Sequence, residues 1–404
     1  MATPNWLEAR QQMHLDPLIT YLNTGSYGLA PKPVVEAVIQ LRNRMYYNPT
    51  DFLWRQGGEL IWTARCRLAD HLRVDPKRLI FTENVSVGIN IVAATLRLAS
   101  PGEILTTDHE YGAMHWAWER AAARQGVTLR SFKLPVRADD PAMVAEAVLR
   151  EIRPQTRLLY LTHAYFTTGM VLPLAEICTV ARKQGVLTVI DAAHAPGMLD
   201  LDLPRIGADF YAANLHKWML APVGSGFLYV APGNEDRIQP LQVSWGWHYD
   251  RTLADVYDPK DILLVRKGGT PRLWSYEFEG SRDLTPWMVL PTVLDFHAQW
   301  GWDQIRQRHR ELSDYCRNRL DGLCGLKRVT PNHALLRGGL TTFKLPRDLG
   351  QQFRAALWER HKIEINLIEH PDGHLLRVST HFYNTPEEVD KLARAIEMEM
   401  PRFK

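Results

Sequence analysis

The chain has little of what would mark a secreted, membrane-bound or disulfide-stabilised protein. It contains four cysteines in 404 residues, and none of them forms a CxxC pair or another metal-ligand spacing. We therefore expect four reduced thiols, most of them buried. No stretch approaches the roughly 18 apolar residues of a membrane span, and the first six residues carry no apolar signal core. These absences predict a cytoplasmic protein with no membrane association.

Charge of one sign is also scarce. The formal net charge is +3, and the densest basic stretch, residues 306–310, lies in a polar helical segment that is typical of a solvated face. His109 and His115 do not match the HExxH spacing of zinc enzymes. We expect neither nucleic acid nor a metal ion as a partner. With 46% hydrophobic and 23% charged residues, the chain is long enough for one large domain and a smaller one.

Apolar strand-like runs alternate with helical patterns over the first 230 residues. This alternation predicts an α/β fold, in which helices flank a mixed, mostly parallel sheet. The clearest change of pattern follows Pro291, where a long helical stretch leads into a shorter α+β pattern. We predict an N-terminal segment (1–20) that packs with the small domain, a large domain (21–291) and a small C-terminal domain (292–404). The predicted strands are 78–82, 103–106, 128–133, 158–162, 186–191, 209–212 and 226–230.

Two charged residues indicate the chemistry. Asp191 ends the apolar run that begins at Val186, and Lys217 lies beside a histidine in the segment 214–218. Pyridoxal 5′-phosphate (PLP) needs an amine that holds its aldehyde as a Schiff base and an anion that keeps its ring nitrogen protonated. Lys217 and Asp191 match these two needs. Either residue alone is more often a surface lysine or a turn aspartate, so the pair needs support from other positions.

Other polar groups also follow predicted strand ends, where ligands bind in such sheets. The turn 84–86 opens a helix after the first strand, and its backbone N–H groups suit a phosphate. Its simpler interpretation is a helix cap. Tyr111 follows the second strand, where its ring can lie on the PLP face, although a lone tyrosine is more often core or rim.

Together these motifs resemble the fold-type I PLP enzymes, in particular the class V aminotransferase superfamily and its isopenicillin N epimerase-like branch. The resemblance runs over nearly the whole chain, and the order and spacing of its motifs make it specific. The motifs are residues 21–28, 84–86, 110–112, 191–197, 214–218, 278–283 and 377–385.

The resemblance implies a role for each matching residue. Lys217, Asp191, His194 and Tyr111 are the implied catalytic residues, with His194 next to the phenolic oxygen of PLP. Arg377 resembles the arginine that binds the substrate α-carboxylate, a role that suits its planar pair of donors. Gly280 and Ser281 match a segment that reaches the phosphate from a second subunit, which implies a homodimer with composite sites. The remaining implied contacts are Asn84, Val85, Ser86, Asn214 and His216 for the cofactor, and Gly25, Ser26 and Tyr27 for the substrate.

The reaction stays open at this level. We expect an enzyme acting at the α-carbon of an amino acid or amino-acid-derived metabolite, epimerase- or aminotransferase-like. The alternatives are a C–S (β-elimination) lyase and, in another class, a non-catalytic binding or structural subunit. Related cysteine desulfurases use a cysteine in the small-domain region, and no cysteine follows Cys324, which argues against persulfide formation.

Two further points stay open. Residues 165–167 replace a small polar residue that relatives often carry near the PLP oxygen, so any partner of that oxygen besides His194 is undetermined. Several aromatic and basic residues either enclose the substrate side chain or pack in the dimer interface. Packing in the interface is the slightly favoured interpretation. They are Phe52, Trp54, Arg55, Trp245, Trp247 and Tyr249.

Overall fold

A computed structural model describes residues 4–135, 139–248, 269–346, 349–370 and 373–403. Within these residues, no helix is both long enough and apolar enough to cross a membrane. The strands are β1 (Thr20–Tyr21), β2 (Leu79–Thr82), β3 (Glu103–Thr107), β4 (Thr128–Phe132), β5 (Thr156–Thr162), β6 (Leu187–Ala192), β7 (Phe210–Asn214), β8 (Gly226–Val230), β9 (Lys327–Arg328), β10 (Leu340–Lys344), β11 (Ile363–Glu364), β12 (Asn366–His370) and β13 (Gly373–Ser379).

The helices precede, separate and follow these strands. A π-helical segment, Phe52–Gln56, joins the third helix to the fourth. The α-helices are α1 (Trp6–Gln11), α2 (Lys32–Tyr47), α3 (Pro49–Asp51), α4 (Gly57–Leu72), α5 (Val85–Thr95), α6 (Gly112–Gln125), α7 (Pro141–Leu149), α8 (Leu174–Lys183), α9 (Leu203–Ile206), α10 (Pro271–Glu277), α11 (Thr285–Met288), α12 (Leu290–Trp300), α13 (Trp302–Leu320), α14 (Gly350–His361) and α15 (Pro386–Glu399).

Seven strands form the central sheet in the order β2-β8-β7-β6-β5-β3-β4. Only β8 runs antiparallel to its neighbours, so the sheet is mixed and mostly parallel. Alternate residues of each strand enter two separate apolar cores. Leu159 and Leu161 lie in one core, whereas Leu158 and Tyr160 lie in the other. Both faces are therefore covered, as buried parallel strands require, and the predicted α/β class is confirmed.

The seven predicted strands all correspond to strands of this sheet. The run 226–230 has the predicted bounds, and the others differ by one or two residues at an end. Buried β-branched and aromatic residues mark these strands clearly, while their ends depend on local hydrogen bonds that a pattern does not show.

A second sheet lies in the C-terminal part of the chain. Its four antiparallel strands have the order β12-β13-β10-β9, and α13, α14 and α15 supply residues to its apolar core. The N-terminal part contacts this region, because Arg10 forms an ion pair with Glu388 and β1 pairs with β11. Helix α12 crosses the predicted boundary at residue 291. The division into 1–20, 21–291 and 292–404 stays a prediction.

Candidate active site

A cavity of about 520 Å³ lies at the carboxyl ends of β2, β3, β5, β6 and β7. Helix α5 begins at its edge, and β13 supplies one residue from the second sheet. The cavity brings together every predicted site residue except Gly280 and Ser281. Its lining residues are Gly25, Ser26, Tyr27, Glu83, Asn84, Val85, Ser86, Tyr111, Thr162, Phe166, Asp191, Ala193, His194, Asn214, His216, Lys217, Val223, Gly224, Asn366 and Arg377.

Asp191 is a buried carboxylate at the end of β6. Its side chain is held by the backbone N–H of Ala193 at 2.9 Å and by the hydroxyl of Tyr160 at 3.3 Å. Burial raises its pKa, and these two hydrogen bonds and the charge of Lys217 oppose that rise. Among the described residues, no lysine, arginine or histidine lies within 4 Å of its oxygens. A buried carboxylate without a cation fits a site that receives a positively charged ligand group.

Arg377 is the corresponding buried cation, projecting from β13. Its Nη2 donates to Ser26 Oγ at 3.0 Å and to Asn23 Oδ1 at 3.3 Å, both of them neutral acceptors. Its Nε has no hydrogen-bond partner among the described residues, and burial lowers its pKa to about 10. A Cβ on Gly25 would lie 3.2 Å from the guanidinium carbon, which explains a glycine there. A buried guanidinium with spare donors suits a carboxylate ligand.

Lys217 lies in the loop after β7, between these two charges. Burial and the nearby Arg377 lower its pKa to about 8, and the carboxylate of Asp191 only partly opposes this. Its Nζ is 3.4 Å from Nε2 of His194. The backbone of Lys217 packs closely against Gly28, where a Cβ would lie 2.0 Å from the lysine carbonyl oxygen. This contact fixes the backbone of Lys217, and the lowered pKa leaves a minor uncharged fraction of the amine near neutral pH.

The turn that opens α5 has fewer free donors than its sequence suggests. Asn84 caps the helix by accepting from Val87 N at 3.1 Å, and the N–H of Val85 donates to Asn214 Oδ1 at 2.8 Å. Ser86 therefore offers the backbone N–H and hydroxyl best placed to meet an anion. Asn214 helps to position the turn in this structure.

His216 lies on the same side of the cavity. Its Nδ1 is 3.3 Å from the carbonyl oxygen of Ser225, so the neutral ring carries its proton on Nδ1 and presents a bare Nε2. Burial and the charge of Lys217 lower its pKa to about 4. A phosphate bonded to Nε2 would need a proton on the phosphate or on the ring.

Aromatic rings form the mouth of the cavity. Tyr27 is 57% exposed and stacks on His216, with ring centroids 6.1 Å apart. Tyr111 is 49% exposed and meets Phe166 edge-on at 5.5 Å. The hydroxyl of Tyr165 turns away from the mouth and lies 3.0 Å from Thr107 Oγ1.

Two groups of predicted residues lie outside the cavity. Gly280 and Ser281 are exposed and line a separate apolar groove, together with Trp54. The other proposed entrance residues do not line the cavity of their own chain either: Phe52 is buried in the π-helical segment, and Arg55, Trp245 and Trp247 lie elsewhere. Tyr249 lies outside the described residues.

A partly buried acid next to the site, Glu110, has an environment that its motif did not suggest. Glu110 accepts hydrogen bonds from Thr162 at 2.6 Å, Thr107 at 2.9 Å and Tyr165 at 3.2 Å. Burial, reinforced by the charge of Asp191, raises its pKa to about 8. Three hydroxyls from separate strands and loops meet only in the fold, so sequence spacing carries no sign of this cluster.

Trp218 is the other residue that sequence reasoning missed. It is fully buried, and its indole Nε1 donates to His194 Nδ1 at 3.2 Å. The only signal in the sequence is its place directly after Lys217. A tryptophan beside a candidate lysine is ordinarily explained by core packing.

The residues present fit PLP. Asp191 supplies a buried anion for a protonated ring nitrogen, Lys217 an amine of lowered pKa, and the start of α5 an N–H group for a phosphate. The fold and this cavity define a PLP-dependent enzyme of fold type I.

The family follows from comparison with known proteins. The family model described as aminotransferase class-V matches residues 20–392, so the chain belongs to the class V aminotransferase family. It is 46% identical to an isopenicillin N epimerase of Amycolatopsis lactamdurans over 98% of this chain and 99% of the relative. It is thus an enzyme, and the non-catalytic alternative loses its support.

Solved structures agree with this assignment. A mutant of C-DES with glycine covalently linked to its PLP cofactor matches with a TM-score of 0.82 and 27% identity, over 97% of this chain and 98% of that one. A complex of the cystine C–S lyase C-DES with its product cysteine persulfide matches with a TM-score of 0.79 and 28% identity, over 94% and 97%. The predicted family, fold and cofactor are confirmed.

Proposed function

We propose that this enzyme binds PLP through Lys217 and inverts the configuration at the α-carbon of an amino acid or amino-acid-derived metabolite. Isopenicillin N is the first substrate to test, because the relative that is 46% identical over nearly its full length carries the name isopenicillin N epimerase. The observation that carries the proposal is one cavity that holds a buried anion, Asp191, a buried cation, Arg377, and an amine of lowered pKa, where neither charge has an ion-pair partner among the described residues.

Asp191 and Arg377 would bind two different groups, one on the cofactor and one on the substrate. PLP, when bound, supplies an electron-withdrawing ring that makes the α-hydrogen of a linked amino acid acidic. Asp191 would hold the proton on the ring nitrogen. Arg377 would bind the α-carboxylate with its guanidinium, oriented by Ser26 and Asn23. These contacts fix the amino acid at two points.

Lys217 and the neighbouring His194 would take part in proton transfer. A pKa of about 8 leaves part of the lysine uncharged near neutral pH, so Nζ can accept or return a proton. Nε2 of His194 lies 3.4 Å from Nζ, so the histidine would hydrogen-bond either to the phenolic oxygen of the cofactor or to Nζ. Inversion also needs a proton on the opposite face of the α-carbon. Among the hydroxyls that line the cavity, those of Ser86 and Tyr111 are the candidates for that role, because Ser26 and Thr162 already donate to Asn23 and Glu110.

The cofactor's remaining contacts follow from the same cavity. We assign the phosphate to the turn of Asn84, Val85 and Ser86, with Asn214 and His216 beside it. Tyr111 would lie against the ring of the cofactor, and Gly25 would leave room for the substrate carboxylate next to Arg377. The mouth of the cavity, with Tyr27 at its edge, would admit the substrate side chain.

Incubation with isopenicillin N in deuterium oxide tests the proposed reaction. We expect deuterium at the α-carbon together with the opposite configuration, detected by proton NMR and chiral chromatography. A keto product with the aminated cofactor would instead indicate transamination. Pyruvate with a sulfur product from cystine would indicate elimination, and PLP binding without any exchange on these substrates would contradict the proposal.

A C–S lyase is the second candidate, because the cystine lyase C-DES shares the fold at 28% identity. None of the four cysteines lines the cavity, which argues against transfer of sulfur to an enzyme thiol but not against β-elimination, since elimination needs no such thiol. We expect pyruvate release from cystine to be far slower than inversion of isopenicillin N. The reverse order of rates would favour the lyase.

We also propose a homodimer with composite sites, in which Gly280 and Ser281 of each subunit reach the phosphate of the other. In support, both residues are exposed and absent from the cavity lining of their own chain. Co-expression of a Lys217→Ala chain with a Ser281→Asp chain tests this, because the mixed dimer would hold one intact site. Activity in the mixture but in neither variant alone is expected, and an inactive mixture that contains mixed dimers would contradict composite sites. A cytoplasmic location stays a prediction.

A further inference from the structure

The hydrogen bond between Trp218 and His194 determines where the histidine carries its proton. An indole N–H can only donate, so His194 Nδ1, at 3.2 Å from Trp218 Nε1, must accept. Burial holds the pKa of His194 well below its ordinary value, so the ring is neutral. A neutral ring with a bare Nδ1 carries its one proton on Nε2.

That proton faces the lysine. Nε2 of His194 lies 3.4 Å from Nζ of Lys217. An ammonium group has three protons and no lone pair, so it cannot accept from Nε2–H, whereas an uncharged amine can. The tautomer set by Trp218 therefore favours the uncharged lysine. It also presents a donor to an oxygen placed next to Nζ.

Trp218 is held in place tightly enough to act in this way. A Cβ on Gly339 would lie 2.5 Å from its ring, and a Cβ on Gly197 would lie 2.4 Å from its carbonyl carbon. His381 lies with Nε2 3.0 Å from the Trp218 carbonyl oxygen and stacks on the indole at 5.8 Å, while His309 meets the ring edge-on at 5.5 Å. Contacts on several sides leave the indole little freedom to turn its N–H away from His194.

We propose that Trp218 is a positioning residue that fixes the tautomer of His194 and so directs the Nε2 proton toward Lys217. The two contacts of His194, with Trp218 and with Lys217, involve protein atoms only, whereas their use in catalysis rests on the proposed function. Packing alone would explain a buried tryptophan, but it would place no constraint on the proton of His194.

Nitrogen-15 NMR of labelled histidine in the holoenzyme tests the proposal directly, because protonated and bare ring nitrogens have widely different shifts. A His194→Gln variant assigns the signals. We expect a bare Nδ1 and a protonated Nε2 in the wild type, and a population with the proton on Nδ1 in Trp218→Phe. A protonated Nδ1 in the wild type, or identical shifts in Trp218→Phe, would overturn the proposal.

A second readout follows the amine. In cofactor-free protein, the rate at which an amine-reactive reagent labels Lys217 gives the pH midpoint of the lysine. We expect Trp218→Phe to raise this midpoint by about half to one pH unit, the size expected for one neutral hydrogen bond. Trp300→Phe is the matched control, since this buried indole packs against Phe296 and makes no hydrogen bond within the described residues. An equal shift in the control, or none in Trp218→Phe, would count against the proposal.

If Trp218→Phe fails to fold, 3-benzothienylalanine at position 218 keeps the ring shape and removes only the N–H. The same shifts and midpoint are then expected to move. A protein that keeps the wild-type tautomer with this residue would overturn the proposal. Neither readout depends on turnover, so a failure of the epimerase assignment would leave this test intact and separately interpretable.

Discussion

The inner half of the cavity and its mouth are built differently. Asp191 and His194, 2% exposed, and the neighbouring Lys217 follow strand ends and hydrogen-bond to groups of the same sheet region. At the mouth, Tyr27 is 57% exposed and Tyr111 is 49% exposed. The inner half holds charges that burial makes costly, and the mouth holds rings that can adjust.

This difference separates two kinds of specificity. Charges of known sign in fixed positions define what happens at the α-carbon, because each requires a complementary group on the ligand. Exposed rings accept many side chains, so they leave the substrate open. We expect substitutions in the inner half to abolish or alter the chemistry, and removal of the exposed Tyr27 hydroxyl at the mouth to have a small effect. The following changes test that contrast, from the largest expected effect to the smallest.

Replacement of the lysine should have the largest effect. We expect Lys217→Ala to lower kcat by about 10³-fold or more, because the amine both binds the cofactor and moves the proton. Lys183→Ala, at the exposed end of α8, is the matched control and should keep wild-type turnover. Normal turnover in Lys217→Ala would remove the central assignment.

The aspartate should come second. Asp191→Asn keeps the shape and the acceptor oxygen but removes the buried charge, so the ring nitrogen loses its anionic partner. We expect kcat to fall by roughly 10²-fold, as for the loss of one preorganised electrostatic group. Steady-state kinetics at saturating PLP measure this, with the exposed Asp303→Asn as control. Wild-type rates in Asp191→Asn with PLP bound would show that its charge is not used.

Arg377, as buried as Asp191, should act mainly on substrate binding when it is replaced in Arg377→Lys. An ammonium cannot reproduce a two-pronged carboxylate contact, so KM should rise about 10- to 100-fold while PLP occupancy stays unchanged. Arg354→Lys, which keeps a charge near the site but pairs with Glu364, serves as control. An unchanged KM in Arg377→Lys would contradict carboxylate binding.

The raised pKa of Glu110 should be visible in the pH dependence of protein stability. The pKa of Glu110 in the folded chain is about 8, above its ordinary value of 4.5, so the folded protein keeps a proton that the unfolded chain releases. This group therefore lowers stability as pH rises from about 4.5 to 8. Glu110→Gln has no carboxyl to titrate, so it does not lose this stability as pH rises. The melting temperature of the variant minus that of the wild type should therefore increase from pH 5 to pH 9.

Exposed Glu146→Gln, on α7, is the control for this pH effect and should show a constant difference from wild type. A constant difference for Glu110→Gln as well would mean that the carboxyl titrates near its ordinary pKa. It would then carry a charge beside Asp191 at neutral pH.

The smallest effect is expected at the mouth. Tyr27→Phe removes one exposed hydroxyl, and we expect kcat/KM to change less than about threefold. The α-hydrogen exchange rate in deuterium oxide is the sensitive measurement. A loss of 100-fold would place the Tyr27 hydroxyl in proton transfer and end the distinction between the two halves.

The same contrast explains what the sequence could predict. Asp191 was predictable because it ends an apolar β-branched run, and Lys217 because it lies beside a histidine just after the next strand, where ligands bind in such sheets. The tautomer set by Trp218 and the hydroxyls around Glu110 were not, since they depend on side-chain directions between separate loops. The aromatic residues proposed for the entrance illustrate the limit: within one π-helical segment Phe52 is buried and Trp54 is half exposed, a difference that aromatic composition alone does not show.

The visible absorption spectrum of the purified protein, before and after reduction with sodium borohydride, tests the central assignment most directly. We predict a visible band that disappears on reduction, with the reduced cofactor attached to the peptide that contains Lys217. No band and no labelled peptide after PLP is added, or a label on another lysine, would contradict the assignment of Lys217 as the cofactor-binding residue.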